Sequence, residues 1–295
     1  MMKKGLILTN AYAKLAAFSH PASRLQEELL ALGVAADILR NDGFHAYIDE
    51  HGEIQTTLCD YDFCVYLDKD KYISQALEKR GLRLFNHHQA IIDCDDKATT
   101  FLRLSSHNIP MPTTLFGLLC YTPDCAPKTA ALDKIERTLG YPLIAKTCFG
   151  SLGKGVYKID NRNELTQIAT QLQYTPHLFQ KFIAASAGKD VRVIVIGGKV
   201  QAAMLRRSTT DFRSNIELGG VGEQIEIPQE LKTLCEKVAS ILQLDYCGID
   251  VLLDSENYRV CEVNSNAFFS GIEKVTGVNI AKRYAEHIYG EIYKK

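Results

Sequence analysis

The chain lacks a dominant charge, a membrane-length apolar run, a low-complexity linker and any Cys-x-x-Cys pair, and each absence narrows what it can do. Lys plus Arg number 34 and Asp plus Glu 35, a formal net charge of −1. That balance removes the simplest electrostatic case for a bulk nucleic-acid binder, although a local basic groove stays open. No stretch reaches the roughly 18 apolar residues that cross a bilayer, so no membrane partner is expected. Lys3 and Lys4 do precede an apolar run, but it stops at Asn10, and Leu6–Leu8 reads as a buried first strand rather than a secretory leader. The expected location is cytoplasmic. Nine cysteines in 295 residues are too sparse and irregular for a disulfide scaffold and fit buried thiols of a reducing compartment. Cys59–Cys64 and Cys120–Cys125 are each five apart, unlike zinc or redox pairs, and read as inert thiols. What is present is ordinary globular material, 46% hydrophobic and 23% charged, enough for two or three units with substantial cores.

Periodicity organises that material. Apolar residues at helical spacing over Ser23–Leu32 predict a helix closed by Gly33. Strands are expected at Leu6–Leu8, Val34–Leu39, Phe63–Leu67 and Leu82–Phe85, with a helix over Tyr72–Arg80 and a short hairpin in Gly43–Gly52. Alternating strands and helices suggest a small parallel α/β unit ending near His88. Ile91–Ser106 then reads as one helix, ended by Asn108-Ile109-Pro110. A second segment offers helices at Ala130–Leu139 and Asn163–Leu172 around strands Leu143–Lys146 and Gly155–Ile159. The last offers two strands joined at Gly197-Gly198, a helix at Gln229–Leu242, strands Tyr246–Leu253 and Tyr258–Val263, and a helix at Ile280–Tyr293.

Three local signals carry chemistry. Lys146-Thr147-Cys148-Phe149-Gly150-Ser151-Leu152-Gly153-Lys154-Gly155 suits a loop whose amides close over phosphate oxygens. It is neither a P-loop, since no Gly-Lys-Ser/Thr follows, nor a dinucleotide turn, since it lies between two strands. Asp250, Glu262 and Asn264 sit on late strands, the last two on one face by their period of two. Embedded among apolar residues, such oxygens demand pairing or a hard cation such as Mg²⁺. Arg192, Arg206-Arg207 and Arg213-Ser214-Asn215 offer guanidinium donors for a carboxylate or phosphoryl group. His87-His88 has no third ligand at sensible spacing and is expected to be structural. Tyr284, His287, Ile288 and Tyr289 read as one packed helix face.

In order, Lys146 with its glycine loop, Gly188-Lys189-Asp190-Val191-Arg192, Asp211-Phe212-Arg213-Ser214-Asn215, Gly219-Gly220, Gly248-Ile249-Asp250, Glu262-Val263-Asn264 and Gly271–Gly277 resemble the ATP-grasp superfamily, in its RimK-like branch of glutamate and peptide-forming ligases. The resemblance covers residues 90–295 strongly and the amino-terminal unit loosely. It implies an α/β and α+β architecture: a parallel-sheet pre-ATP-grasp domain at 1–90, a central subdomain with a glycine-rich lid at 91–178, and a carboxy-terminal subdomain with the metal site at 179–295. Carried over by position, Lys97 and Lys146 contact ATP phosphates beneath a lid containing Gly150, Ser151, Gly153 and Gly155. Gln180, Lys181, Phe182 and Ile183 form the adenine hinge, and Asp190 helps hold the nucleotide through its ribose end. Asp250, Glu262 and Asn264 ligate two Mg²⁺ ions, with Mn²⁺ as a substitute. Arg192, Arg206, Arg213, Ser214 and Asn215 surround the phosphates and the reacting carboxylate.

The implied reaction is ATP-dependent carboxylate–amine ligation through an acylphosphate, joining an amino acid or small carboxylate to an amine or peptide acceptor. A glutamate ligase acting on a peptide, protein or cofactor is the first specific reading; a small-molecule amino-acid or dipeptide ligase and an ATP-binding regulatory protein without turnover are the alternatives. A homodimer or homotetramer is the expected assembly, with no nucleic acid. The chain departs from the family pattern at Lys181, where an acidic residue is usual, and at Ser265-Asn266-Ala267-Phe268-Phe269, where a small residue, Ser and Pro usually follow. The two phenylalanines read either as a change in the substrate pocket or as core.

Overall fold

A computed structural model describes residues 3–13, 16–122, 125–151, 153–214, 219–255 and 257–294. Its first unit begins with β1 (Lys4–Thr9), α1 (Ala16–Ala31) and β2 (Ala35–Arg40). The hairpin β3 (Ala46–Ile48) and β4 (Ile54–Thr56) follows, then β5 (Phe63–Leu67), α2 (Lys71–Lys79) and β6 (Arg83–Phe85). Strands pair in the order β2-β1-β5-β6, all parallel. Every residue of β5 is buried, as expected of a parallel strand covered on both faces. Helix α1 begins seven residues before the expected start, with Pro21 inside it; a proline there removes one amide donor without ending the helix.

The expected single helix over Ile91–Ser106 is instead two, α3 (His88–Asp95) and α4 (Lys97–Leu104). Asp96 between them is extended, and its carboxylate accepts from the amides of Ala98 at 2.9 Å and Thr99 at 3.3 Å. This is an N-cap, and the apolar periodicity running through both helices hides it in the sequence. The break places Lys97 at the first position of α4.

Two antiparallel sheets follow. The central one contains β7 (Thr114–Phe116), β8 (Leu143–Thr147), β9 (Val156–Ile159) and β10 (His177–Lys181), ordered β7-β10-β8-β9, with α5 (Thr129–Leu139) and α6 (Arg162–Leu172) sharing its core. The last contains β11 (Lys189–Ile196), β12 (Lys199–Arg207), β13 (Val221–Gln224), β14 (Tyr246–Asp254) and β15 (Asn257–Asn264), ordered β13-β12-β11-β14-β15. Helix α7 (Gln229–Ile241) closes one face through Leu231, Cys235 and Val238. Helices α8 (Ser270–Thr276) and α9 (Ile280–Ile292) complete the chain. The short elements β7, β13 and α8 have no counterpart in the sequence reading, because three to seven residues leave little periodic signal.

One core joins the two ends of the chain. Ile7, Leu25 and Phe63 of the first unit share it with Tyr246, Phe269, Tyr284 and Ile288. Phe269 is 1% exposed and meets Tyr246 edge-on at 6.4 Å, so this half of the aromatic departure is core. Phe269→Ala is expected to cost about 3–5 kcal/mol, read as a lower urea midpoint. Of the helix face proposed from Tyr284, His287, Ile288 and Tyr289, Tyr284 and Ile288 are buried and His287 bonds Asp245 at 3.1 Å, whereas Tyr289 is exposed. His87 and His88 are also structural: His87 caps α3, and the His88 Nδ1 lies 2.9 Å from the Ser74 hydroxyl.

Candidate active site

The central and last sheets face one cleft. Its apolar part is formed by Ile144, Val156, Phe182, Ile183 and Leu252, and its polar part includes Lys97, Lys146, Arg206, Arg213, Asp250 and Glu262. An apolar slot continuous with fixed cations suits a planar base joined to a polyanion.

Lys146 points inward because β8 pairs antiparallel with both β9 and β10, with Lys146 opposite Val156 and Leu178. It is 8% exposed, and its one hydrogen-bond partner among the described residues is the Cys261 sulfur at 3.3 Å. Burial raises the Cys261 thiol above its ordinary value and outweighs the neighbouring Lys146, so the partner is a neutral thiol. A buried ammonium with only a weak acceptor is expensive, and an anion in the cleft would relieve it. Lys97, 7% exposed, comes from the capped start of α4 and reaches Glu262 Oε1 at 3.4 Å and the Gly150 carbonyl at 3.0 Å.

Residues 148–155 connect β8 to β9 as the loop of a hairpin, which is why the glycine pattern there is neither a P-loop nor a dinucleotide turn. Gly155, at φ +72°, lies so close to Thr147 that an added Cβ would sit 2.3 Å from its hydroxyl. Gly155 underlies the loop rather than lining the cleft, which Gly150, Ser151 and Gly153 do. Arg213 donates to the Gly153 carbonyl at 2.7 Å and is held from behind by Asp211 at 2.6 Å. Two cations of the cleft thus hold carbonyls of this loop. Arg213→Ala is expected to speed amide hydrogen exchange across 150–155 several-fold in the nucleotide-free protein.

The acidic side comes from strand register. Asp250 lies opposite Glu262 across β14 and β15, and Gly248 lies opposite Asn264. Asp250 is also opposite Arg192 on β11, and Asp190 is opposite Arg206 on β12. Arg192 forks onto Asp250, its Nη2 donating to Oδ2 at 2.9 Å and its Nε to Oδ1. Arg206, 3% exposed, forks onto Asp190 at 2.7 and 2.5 Å and also reaches Asp250 Oδ1 at 3.0 Å. Burial works against the charged form of Asp250, but Arg192 and Arg206 outweigh it and hold its pKa below the ordinary value. Asp190 has one guanidinium where Asp250 has two, and burial raises its pKa.

Most of the expected site converges. Lys97, Lys146, Gly150, Ser151, Gly153, Gln180, Lys181, Phe182, Ile183, Asp190, Arg206, Arg213, Ser214, Asp250 and Glu262 all line the cleft. Arg192 stands behind Asp250, Asn264 is outside the lining, and Asn215 lies outside the described residues. At the expected hinge, the Lys181 amide donates to the Thr113 carbonyl at 2.9 Å and its side chain is exposed, while Phe182 and Ile183 line the cleft. Sequence reasoning missed Ser186 and Phe212 as lining residues and gave Cys261 no place beside Lys146. The tripeptide around Glu262 was the available signal for Cys261.

The donor set fits an ATP-bound divalent cation: two registered carboxylates on a cleft in which Lys97 pairs with Glu262 at 3.4 Å and Lys146 has only the Cys261 thiol among the described residues. Among the described residues no group of three or more His, Cys, Asp or Glu could hold a metal alone, so phosphate oxygens would have to complete the shell.

Two antiparallel sheets gripping such a cleft define the ATP-grasp class. A solved structure of the ATP-grasp ligase PsnB, complexed with a phosphomimetic variant of its minimal precursor, Mg and ADP, shares this fold with a TM-score of 0.69 at 20% identity, over 99% of each chain. The profile described as "RimK-like ATP-grasp domain" matches residues 94–288, and the chain belongs to that family. It is similar to human N-acetylaspartylglutamate synthase A, 36% identical over 76% of this chain and 56% of that protein. It is also similar to a probable alpha-L-glutamate ligase of Maridesulfovibrio salexigens, 33% identical over 73% of this chain and 70% of that one. The chain therefore spans little more than half the length of the synthase.

Proposed function

We propose that the protein is an ATP-dependent carboxylate–amine ligase that forms an amide through an acylphosphate, with glutamate as its first candidate amino acid. The observation that carries this reading is the pair of buried lysines, Lys97 and Lys146, facing Asp250 and Glu262 across one cleft. The names of the two relatives, both containing glutamate, support the amino-acid class. The residue division 1–90, 91–178 and 179–295 belongs to the same reading.

In this reading Lys97, Lys146 and Arg213 bind the triphosphate and draw charge from it as a substrate carboxylate attacks the γ-phosphorus. The donated oxygen bridges carbon and phosphorus, and ADP leaves. The amine then adds to the activated carbonyl, loses a proton, and expels phosphate. No enzyme nucleophile is needed, which agrees with burial raising the thiols of Cys148, to about 11, and Cys261. The lid over 150–155 excludes water that would otherwise hydrolyse the acylphosphate. Asp250 and Glu262, with Asn264 as an expected third ligand, would hold two Mg²⁺ ions, with Mn²⁺ able to replace them. Divalent cations supply charge neutralisation on the phosphates.

A regulatory protein that only binds ATP has less need of two opposed carboxylates beside the phosphate cations. The test is mass spectrometry of reactions containing ATP, Mg²⁺, glutamate and a panel of small carboxylates, peptides and acidic cofactors. A new amide-linked product is the expected result. ATP consumption with no product mass across the panel would contradict the assignment.

A further inference from the structure

Register gathers four charged side chains into one buried row, Arg192–Asp250–Arg206–Asp190, across β14, β11 and β12. We propose that Asp190 is a positioning residue acting through Arg206: it holds that guanidinium so that the Asp250 carboxylate keeps one acceptor position open for a divalent cation shared with Glu262. This rests on the reading of Asp250 and Glu262 as metal ligands.

The bond inventory supports it. A carboxylate offers about four acceptor positions. On Asp250, Oδ1 accepts from Arg192 Nε and faces Arg206 Nη2, while Oδ2 accepts, among the described residues, from Arg192 Nη2 alone. The open position is on Oδ2, and Glu262 stands directly across the strand pair. Arg206 could fill it. Its planar fork matches a carboxylate bidentately, and it is too buried to find water instead. It does not fill it because Asp190 accepts both Nε and Nη2, leaving one contact for Asp250. Both Asp190 oxygens accept from Arg206, which places the residue to orient that guanidinium.

The test uses the full chain with ADP and follows Mn²⁺ binding by the electron paramagnetic resonance of the free ion. Asp190→Asn is expected to weaken Mn²⁺ by about 10-fold or more, in the range seen when partners of metal ligands are removed. Asp190→Asn combined with Arg206→Gln should recover Mn²⁺ affinity, since no guanidinium remains to close on Asp250. Unchanged Mn²⁺ binding in the single variant or no recovery in the double would each overturn the proposal. Should Asp190→Asn fail to fold by circular dichroism, Arg206→Gln with and without Asp190→Asn decides: equal Mn²⁺ affinities support it, unequal ones overturn it. A parent protein that binds no Mn²⁺ with ADP would instead overturn the metal-site reading beneath it.

Discussion

Glu262→Gln is expected to lower amide formation by on the order of 10²–10³-fold while leaving the fold intact, because a carboxylate facing a metal-bound phosphate contributes several kcal/mol of charge stabilisation. The substitution keeps shape and removes one charge. Glu262 is partly exposed at 27%, and its recorded ion-pair partner is Lys97 at 3.4 Å, so little folding energy rides on it. Steady-state rates over a Mg²⁺ series separate the effect from a loss of ATP affinity. Unchanged turnover would remove Glu262 from the metal site.

Asp250→Asn is expected to have its largest effect on stability. Arg192 donates to Asp250 and Arg206 ion-pairs with it at 3.0 Å, and neither can move to solvent from 12% and 3% side-chain exposure. Neutralising their shared partner leaves uncompensated buried charge, a loss of about 3–5 kcal/mol. Against a typical total of about 5–15 kcal/mol, that is a large drop in the urea midpoint. Arg206 keeps Asp190, so most of the loss falls on Arg192. A midpoint within error of the parent would mean that the row of charges is not the staple its geometry describes.

Comparing residues shows what the sequence could carry. Asp250, Glu262 and Lys146 were visible because each interrupts an apolar strand with a group that needs a partner. The parallel β1, β2, β5 and β6 were visible because each is a short apolar run set off by helices or glycine. Asp96 was not: an extended residue between two helices leaves the apolar period unbroken, so the capped placement of Lys97 came only with coordinates. Arg206 read as one of the arginines around the phosphates and the reacting carboxylate; its pairing with Asp190 and Asp250 followed only from strand register. Asp190 pairs with Arg206 16 residues on and Arg192 with Asp250 58 residues on, and no local pattern names those partners. Phe269 looked equally like pocket or core until α9 was seen packing against α1, joining the two ends of the chain.

Coupling between phosphate release and the two co-substrates tests the central claim most directly. With ATP and Mg²⁺, ADP and phosphate should appear at an appreciable rate only when a carboxylate and an amine substrate are both present, in equal amounts with the amide. Tight ATP binding with no phosphate release across a broad panel, or release that ignores the amine and yields no amide, would contradict it.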